Sequence, residues 1–336
     1  MRRGLVVGKF MPLHRGHQLL IETALARSDE LTVVVYDSEV PERWANEMMP
    51  VEKRARWVAE LYPGIHNIVT QEDTLGGTHE DHDHPKYAQH YADQLAYLGP
   101  FTHVFSSEEY GKPFAEALGA EHVMVDAARE LVPMSGTKFR QSMYENRAYV
   151  DPLVYRDLVQ KVVFVGTEST GKSTLAKAMA EELKTLYTEE YGRSLWIERD
   201  EQGVKPSFHD LLHVGQTQYM QEQAAQLHAN RFLFCDTNAW TTMLWSEMYY
   251  GAADTRLIEL ARQTIGEYKW FLCSNDFDWV QDGYRELKGD KSKNFQRVNE
   301  ATLQHWGIDY HILSGPVEQR IQQVKDDLGI TIGAYA

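Results

Sequence analysis

Cysteine is nearly missing from this chain: there are two in 336 residues, Cys235 and Cys273. Each lies inside an apolar run. A disulfide-stapled scaffold is excluded, and both thiols are expected to be small buried residues of a protein from a reducing compartment. Long apolar runs are missing as well. No stretch approaches the ~18–20 residues that cross a bilayer. The apolar stretch after the basic start Met1-Arg2-Arg3 is too short for a signal peptide. Positive charge is in deficit, with 34 Lys and Arg against 49 Asp and Glu and a formal net charge of -15. General binders of nucleic acid or anionic membrane need clustered positive charge, so those classes are disfavoured, while a local basic pocket for phosphates is not. The apolar fraction, 43%, is that of an ordinary globular protein. A soluble cytoplasmic protein is expected.

What is present is an alternation of strand-like and helix-like segments that runs twice. Leu5–Val7, Leu31–Tyr36, Asn67–Thr70, His103–Ser106 and His122–Val125 read as strands, with Gln18–Ala26 and Val51–Leu61 among the intervening helices. The pattern restarts at Lys161. Val162–Val165, Phe232–Cys235, Trp270–Cys273 and Tyr310–Leu313 read as strands, and Ser173–Leu186, Leu211–His228 and Val317–Leu328 as helices. Alternating β and α signals predict mainly parallel, doubly wound α/β sheets. Two domains are expected, 1–152 and 153–336, joined through a short helical stretch after Asp151-Pro152. The segment His79-Glu80-Asp81-His82-Asp83-His84-Pro85 alternates histidines with carboxylates. Transition-metal binding is one reading, but the spacing suits neither a helix face nor the usual zinc sites, and a solvated loop is favoured.

The first chemical signal is Gly8-Lys9-Phe10-Met11-Pro12-Leu13-His14-Arg15-Gly16-His17, placed between a strand and a helix. Such a junction aims backbone N–H groups and a helix N-terminus at an anion. His14 and His17 can donate to phosphate oxygens as charge builds. The second signal is Gly166-Thr167-Glu168-Ser169-Thr170-Gly171-Lys172-Ser173, which matches G-x-x-x-x-G-K-[ST] between an apolar run and a helical pattern that begins at Thr174. Its backbone would cradle phosphates, with Lys172 on the β and γ oxygens and Ser173 on Mg²⁺. Asp236, ending a strand, suits a Walker B role, organising Mg²⁺ or accepting a proton from an attacking hydroxyl.

The first motif, with Ser135-Gly136-Thr137-Lys138-Phe139-Arg140 downstream, resembles the nucleotidylyltransferase superfamily. That resemblance implies ATP contacts from Gly8, Lys9, Phe10, His14, Gly16, His17, Ser135, Thr137 and Arg140, with attack at the α-phosphate and release of pyrophosphate. More closely, both halves resemble the NadR type, a nicotinamide-nucleotide adenylyltransferase joined to a ribosylnicotinamide kinase. The residues that carry it are residues 8–17, Ser107-Glu108-Glu109-Tyr110-Gly111, the P-loop, Glu189-Glu190-Tyr191-Gly192-Arg193, Asp236-Thr237-Asn238 and Trp279-Val280-Gln281-Asp282-Gly283-Tyr284-Arg285. They occur in that order across roughly residues 4–330.

This resemblance implies a Rossmann-like adenylyltransferase followed by a P-loop kinase, two ATP sites, Mg²⁺, and NAD as product. Kinase ATP contacts fall on Gly166, Glu168, Ser169, Thr170, Gly171, Lys172, Ser173, Thr174 and Arg285. Riboside contacts fall on Glu190, Tyr191, Arg193, Asp236 and Asn238. His14, His17, Lys172 and Asp236 carry the catalytic roles. Trp240, Trp245 and Tyr249 are candidates to stack on a cationic nicotinamide ring, but with eight tryptophans in the chain core packing is the default for any one of them. A homo-oligomer is compatible with the type, and a functional link to a nicotinamide riboside transporter belongs to a reading in which the chain senses nucleotides and the transporter reads its bound state.

Two residues depart from the pattern: Met134 stands where isoleucine is commoner, and Asn238 where an acidic residue is common. Some members begin with a helix-turn-helix domain, whereas here the first strand starts at residue 4, so a repressor role is not expected. The competing readings are a coenzyme A synthase-like adenylyltransferase/kinase pair and a nucleotide-sensing regulator with little turnover.

Overall fold

The structure, a computed structural model, describes residues 1–75, 85–204, 206–276, 287 and 289–330. The His79–His84 segment and Arg285 with its surrounding motif lie outside these. Two compact units divide the chain, Met1–Leu158 and Val159–Ala336. The division falls after the helix Pro152–Leu158, not before it. That helix buries Val154, Tyr155 and Leu158, and its Asp157 accepts a 2.8 Å bond from the Trp57 indole and pairs with Arg56. These contacts fix it to the first unit.

The first unit is a parallel sheet of β1 (Arg3–Gly8), β2 (Glu30–Asp37), β3 (Asn67–Glu72), β4 (His103–Ser106) and β5 (Glu121–Met124). Its order is β3-β2-β1-β4-β5. Residues of β1 and β2 such as Leu5, Val6, Val33 and Val34 are wholly buried, as both faces of a helix-covered parallel sheet require. Leu5, Val34, Phe101, Val104 and Phe114 form one core cluster.

The second unit is also parallel, with β6 (Gln160–Val165), β7 (Leu186–Thr188), β8 (Phe232–Asp236), β9 (Tyr268–Cys273) and β10 (Tyr310–Leu313). Their order is β10-β9-β6-β8-β7. Phe164, Phe234 and Phe271 pack across its centre against Leu175 and Met179. A buried Lys161 on β6 pairs with Glu222 at 3.1 Å and Glu267 at 2.7 Å, and Tyr268 also donates to Glu222. The network ties β6 to the helix Phe208–Gln226 and to β9 without leaving a lone buried charge.

One element differs from the sequence-based expectation. The helix after the P-loop spans Lys172–Glu182 and does not reach Leu186, which instead opens β7. Lys184 adopts a left-handed φ of 50° and reverses the chain. Thr185 then bonds the Phe232 carbonyl at 2.6 Å, guiding the next three residues into the sheet edge. In both sheets the strand before the phosphate loop is internal, and the chain switches direction beside it. That crevice at the carboxyl ends is where doubly wound folds bind ligands.

Candidate active sites

In the first unit, β1 ends at Gly8 and the helix Arg15–Arg27 begins with His14 as its N-cap. The His14 Nδ1 accepts N–H bonds from Gly16 at 3.1 Å and His17 at 3.4 Å. A ring nitrogen that accepts carries no proton, so the His14 proton sits on Nε2, a fixed donor. His17 is arranged oppositely: its Nδ1 lies 3.2 Å from the Pro12 carbonyl, which only accepts. Nδ1 therefore holds the proton, and in the neutral ring Nε2 is a lone pair. The two rings stack at 3.7 Å, and Phe10, itself buried, meets His17 edge-on at 5.0 Å. Burial, then the neighbouring His17 and Arg129, lowers the His14 pKa to about 2. Burial chiefly lowers that of His17 to about 4, with Arg129 acting in the same direction. Both are neutral imidazoles at physiological pH.

Opposite the histidines, Ser135 caps the helix Gly136–Gln141, accepting from Lys138 N at 3.2 Å. Gly136 is required because a β-carbon there would lie 2.9 Å from the Met11 carbonyl. Arg140 donates to Met11 O at 2.8 Å and Thr137 Oγ1 at 3.3 Å, and pairs with Glu42 at 3.0 Å. It braces the histidine loop from behind while facing the same cleft. Arg54, buried beneath, donates to the carbonyls of Lys9, Tyr36 and Met49. Burial pulls the Lys9 ammonium below its usual pKa.

The structure brings Gly8, Lys9, Phe10, His14, Gly16, His17, Ser135, Thr137 and Arg140 to one cleft of about 530 Å³. Asp73, Tyr91, Asp126 and Arg129 also line it. Sequence reasoning missed these four because they stand on loops and a helix with no motif spacing. The family-like segment Ser107–Gly111 contributes Ser107, Glu108 and Tyr110 to the wall.

In the second unit the P-loop leaves β6 and feeds the helix Lys172–Glu182. Gly166 and Gly171 take left-handed φ of 130° and 81°, and a β-carbon on Gly166 would lie 2.9 Å from the Cys273 carbonyl. The loop is held from outside. Thr167 N donates to Gln296 at 2.9 Å, and Arg320 donates to Thr170 O at 2.9 Å. Glu168 accepts from Leu287 N at 2.8 Å. The Lys172 ammonium sits over the loop carbonyls of Gly166 and Thr167, at 3.1 and 2.8 Å.

Asp236, at the end of β8, is 4% exposed, and among the described residues its Oδ1 has no hydrogen-bond partner. Burial raises its pKa, against the pull of Lys172 and a hydrogen bond from Ser173. A buried carboxylate oxygen left open beside the P-loop serine fits a divalent cation, so Ser173 and Asp236 can hold Mg²⁺. Burial, and then Asp236, raises the Glu190 pKa to about 7. Among the described residues no cluster of three His, Cys, Asp or Glu side chains is arranged around a metal position.

A cleft of about 320 Å³ opens here, lined by Glu168–Thr174, Glu190, Arg193, Trp196, Trp245 and Tyr249 among others. Trp245 and Tyr249 stack at 5.5 Å, and Trp196 stacks on Tyr249 at 6.0 Å. Trp196 was not singled out from the sequence, since nothing marks it apart from the other tryptophans. Gly166 and Asp236 stand beside this cleft without lining it, and Trp240, Asn238 and Tyr191 do not line it either. Trp240 is wholly buried and packs edge-on to Trp270 at 5.5 Å, so it is core and not a ring-stacking partner. Asn238 is 1% exposed, and its Oδ1 caps the helix Ala239–Tyr250 through Thr241 N at 3.2 Å. That role needs a side-chain oxygen but no charge. The Tyr191 hydroxyl pairs with His213 at 3.2 Å, away from the cleft lining.

Comparison with known proteins agrees with this division. Residues 5–142 match the cytidylyltransferase-like family and residues 161–320 the AAA domain family. The trifunctional NAD biosynthesis/regulator protein NadR of Salmonella typhimurium is 28% identical, covering 97% of this chain and 83% of the relative. The NadR of Escherichia coli is 30% identical over 91% of this chain and 77% of its own. A NadR structure in complex with NR has the same fold, with a TM-score of 0.58, 21% identity, and 98% and 97% of the two chains covered. A NadR structure with NAD and AMP-PNP superposes with a TM-score of 0.54 at the same 21% identity. With two different phosphate loops on two parallel sheets, in this order and at this similarity, the chain belongs to the NadR family.

Proposed function

We propose that the chain is a bifunctional enzyme of NAD salvage. The second unit phosphorylates nicotinamide riboside with ATP, and the first adenylylates the resulting mononucleotide with a second ATP, releasing pyrophosphate. The observation that carries this is the presence of two complete but different phosphate loops in separate units. One is built on neutral histidines and the other on a P-loop lysine with a buried carboxylate.

In the kinase unit, the P-loop backbone and Lys172 hold the β- and γ-phosphates. Mg²⁺, held by Ser173 and Asp236, would neutralise charge on the phosphate oxygens. An attacking riboside hydroxyl would give its proton to Glu190, which lines the cleft, or to Asp236 at the end of β8. Trp245, Tyr249 and Trp196 offer aromatic faces to a cationic pyridinium ring, and Arg193, in the same cleft lining, would meet the ribose or the phosphate. Arg285, outside the described residues, keeps the phosphate role implied by the family.

In the adenylyltransferase unit the protein mainly positions two reactants and meets spreading negative charge. His14 Nε2–H is an oriented neutral donor. Lys9 and the N-terminus of the helix Gly136–Gln141 supply further positive potential to the triphosphate. His17 would contact the α-phosphate and donate once a proton reaches Nε2. Incubation with nicotinamide riboside, ATP and Mg²⁺, followed by chromatography, should yield NAD with the mononucleotide as intermediate. Consumption of neither riboside nor mononucleotide would refute the proposal.

A further inference from the structure

Arg129 belongs to none of the motifs, yet the fold holds it at the first cleft. It sits in the loop between β5 and the helix Gly136–Gln141. Asp126 and Arg129 both adopt left-handed φ, 51° and 54°, a conformation that costs energy for residues with side chains. The strain is stabilised locally. Arg129 N donates to Asp126 O at 2.8 Å, and the Asp126 carboxylate accepts from Leu131 N at 3.1 Å and Val132 N at 3.0 Å. The loop packs on the histidine motif, since a β-carbon on Gly16 would lie 3.8 Å from Val132 Cγ1. The guanidinium lines the cleft and pairs with Glu108 at 3.1 Å, with both side chains partly exposed.

We propose that Arg129 is a further phosphate-contacting catalytic cation of the first site, which exchanges Glu108 for a phosphate group of the reacting pair. This rests on the adenylyl-transfer function proposed for the unit. A strained loop that presents an arginine to a cleft, paired with a partly exposed carboxylate, is poised for a stronger bidentate anion. Its charge also reaches both histidines and disfavours their protonation. The other charged groups lining the cleft are Lys9 and Arg140 and the carboxylates of Glu39, Asp73, Glu108 and Asp126. A bound phosphate would offset the arginine and let His17 take a proton on Nε2, so Arg129 and His17 act in sequence on one anion.

The test is steady-state adenylyl transfer from ATP and nicotinamide mononucleotide by the full chain and by Arg129→Gln and Arg129→Lys. Histidine titrations are followed alongside by NMR with nitrogen-15 labelling. Arg129→Gln should lower kcat/KM by ~100-fold, Arg129→Lys should recover part of it, and kinase turnover should be unchanged. A rise in KM confined to ATP assigns the contact to the triphosphate, and one confined to the mononucleotide assigns it to that phosphate. The His14 and His17 titrations should move upward in Arg129→Gln but not in Arg129→Lys. Wild-type turnover with an unaffected Arg129→Gln would overturn the proposal, as would equal losses in both variants with unmoved titrations. Absence of adenylyl transfer in the wild type would instead refute the function on which it rests.

Discussion

At the scale of residues, the motif histidines were visible in the sequence, but their inequivalence was not. His14 and His17 look alike in H-x-G-H. Only the fold shows that one accepts backbone N–H bonds and the other donates to a carbonyl. The aromatic residues make the same point. Trp240 and Trp245 lie on one helix, but Trp240 is wholly buried while Trp245 lines the cleft, a distinction that depends on the facing layer. Trp240→Ala should therefore destabilise the second unit by about 3–5 kcal/mol, the usual cost of emptying a large core position. Trp245→Ala should leave stability within about 1 kcal/mol and raise KM for the riboside ~10-fold or more. Urea unfolding and kinase kinetics on both variants check the pair. A reversed pattern would show that the cleft is misassigned.

At the scale of elements, most strands were legible because apolar runs of parallel strands stand out between periodic helices. The strand β7 was not, because Leu186 continues the helical spacing of Leu175, Met179 and Leu183, and the break depends on a left-handed Lys184. The P-loop was legible together with its reason for glycine. Gly166→Ala places a β-carbon 2.9 Å from a backbone carbonyl at a φ of 130°. Kinase kcat/KM should fall by at least ~100-fold, while adenylyl transfer by the same protein persists; equal loss of both would point to general unfolding.

The helix cap in the first unit has a consequence for pH. Folding depresses the His14 and His17 pKa values to about 2 and about 4. An unfolded imidazole takes its proton near pH ~6.5. The stabilisation from these neutral rings is thus complete above that value and is lost as pH falls toward the folded values. The slope is up to about 1.4 kcal/mol per pH unit for each ring. The urea midpoint of the first unit should drop between pH 7 and pH 5, and His14→Asn should shrink that drop. An unchanged slope in the variant would show that His14 is not buried neutral.

At the scale of the whole molecule, the sequence carried the order of the two units but placed their boundary before the helix Pro152–Leu158. The Trp57–Asp157 bond that anchors this helix to the first unit spans 100 residues of sequence and leaves no local signal. The chain's net charge of -15 gave no hint of two sites that hold polyanions, because each does so with backbone N–H groups and a few local cations. The central claim is that these sites work separately and in order. The most direct measurement follows product formation from nicotinamide riboside and ATP by Lys172→Ala and His17→Ala. Lys172→Ala should leave the riboside untouched but convert supplied mononucleotide to NAD, whereas His17→Ala should accumulate mononucleotide and form NAD at least ~100-fold more slowly. Loss of both activities in either variant, with the fold intact, would contradict two independent sites.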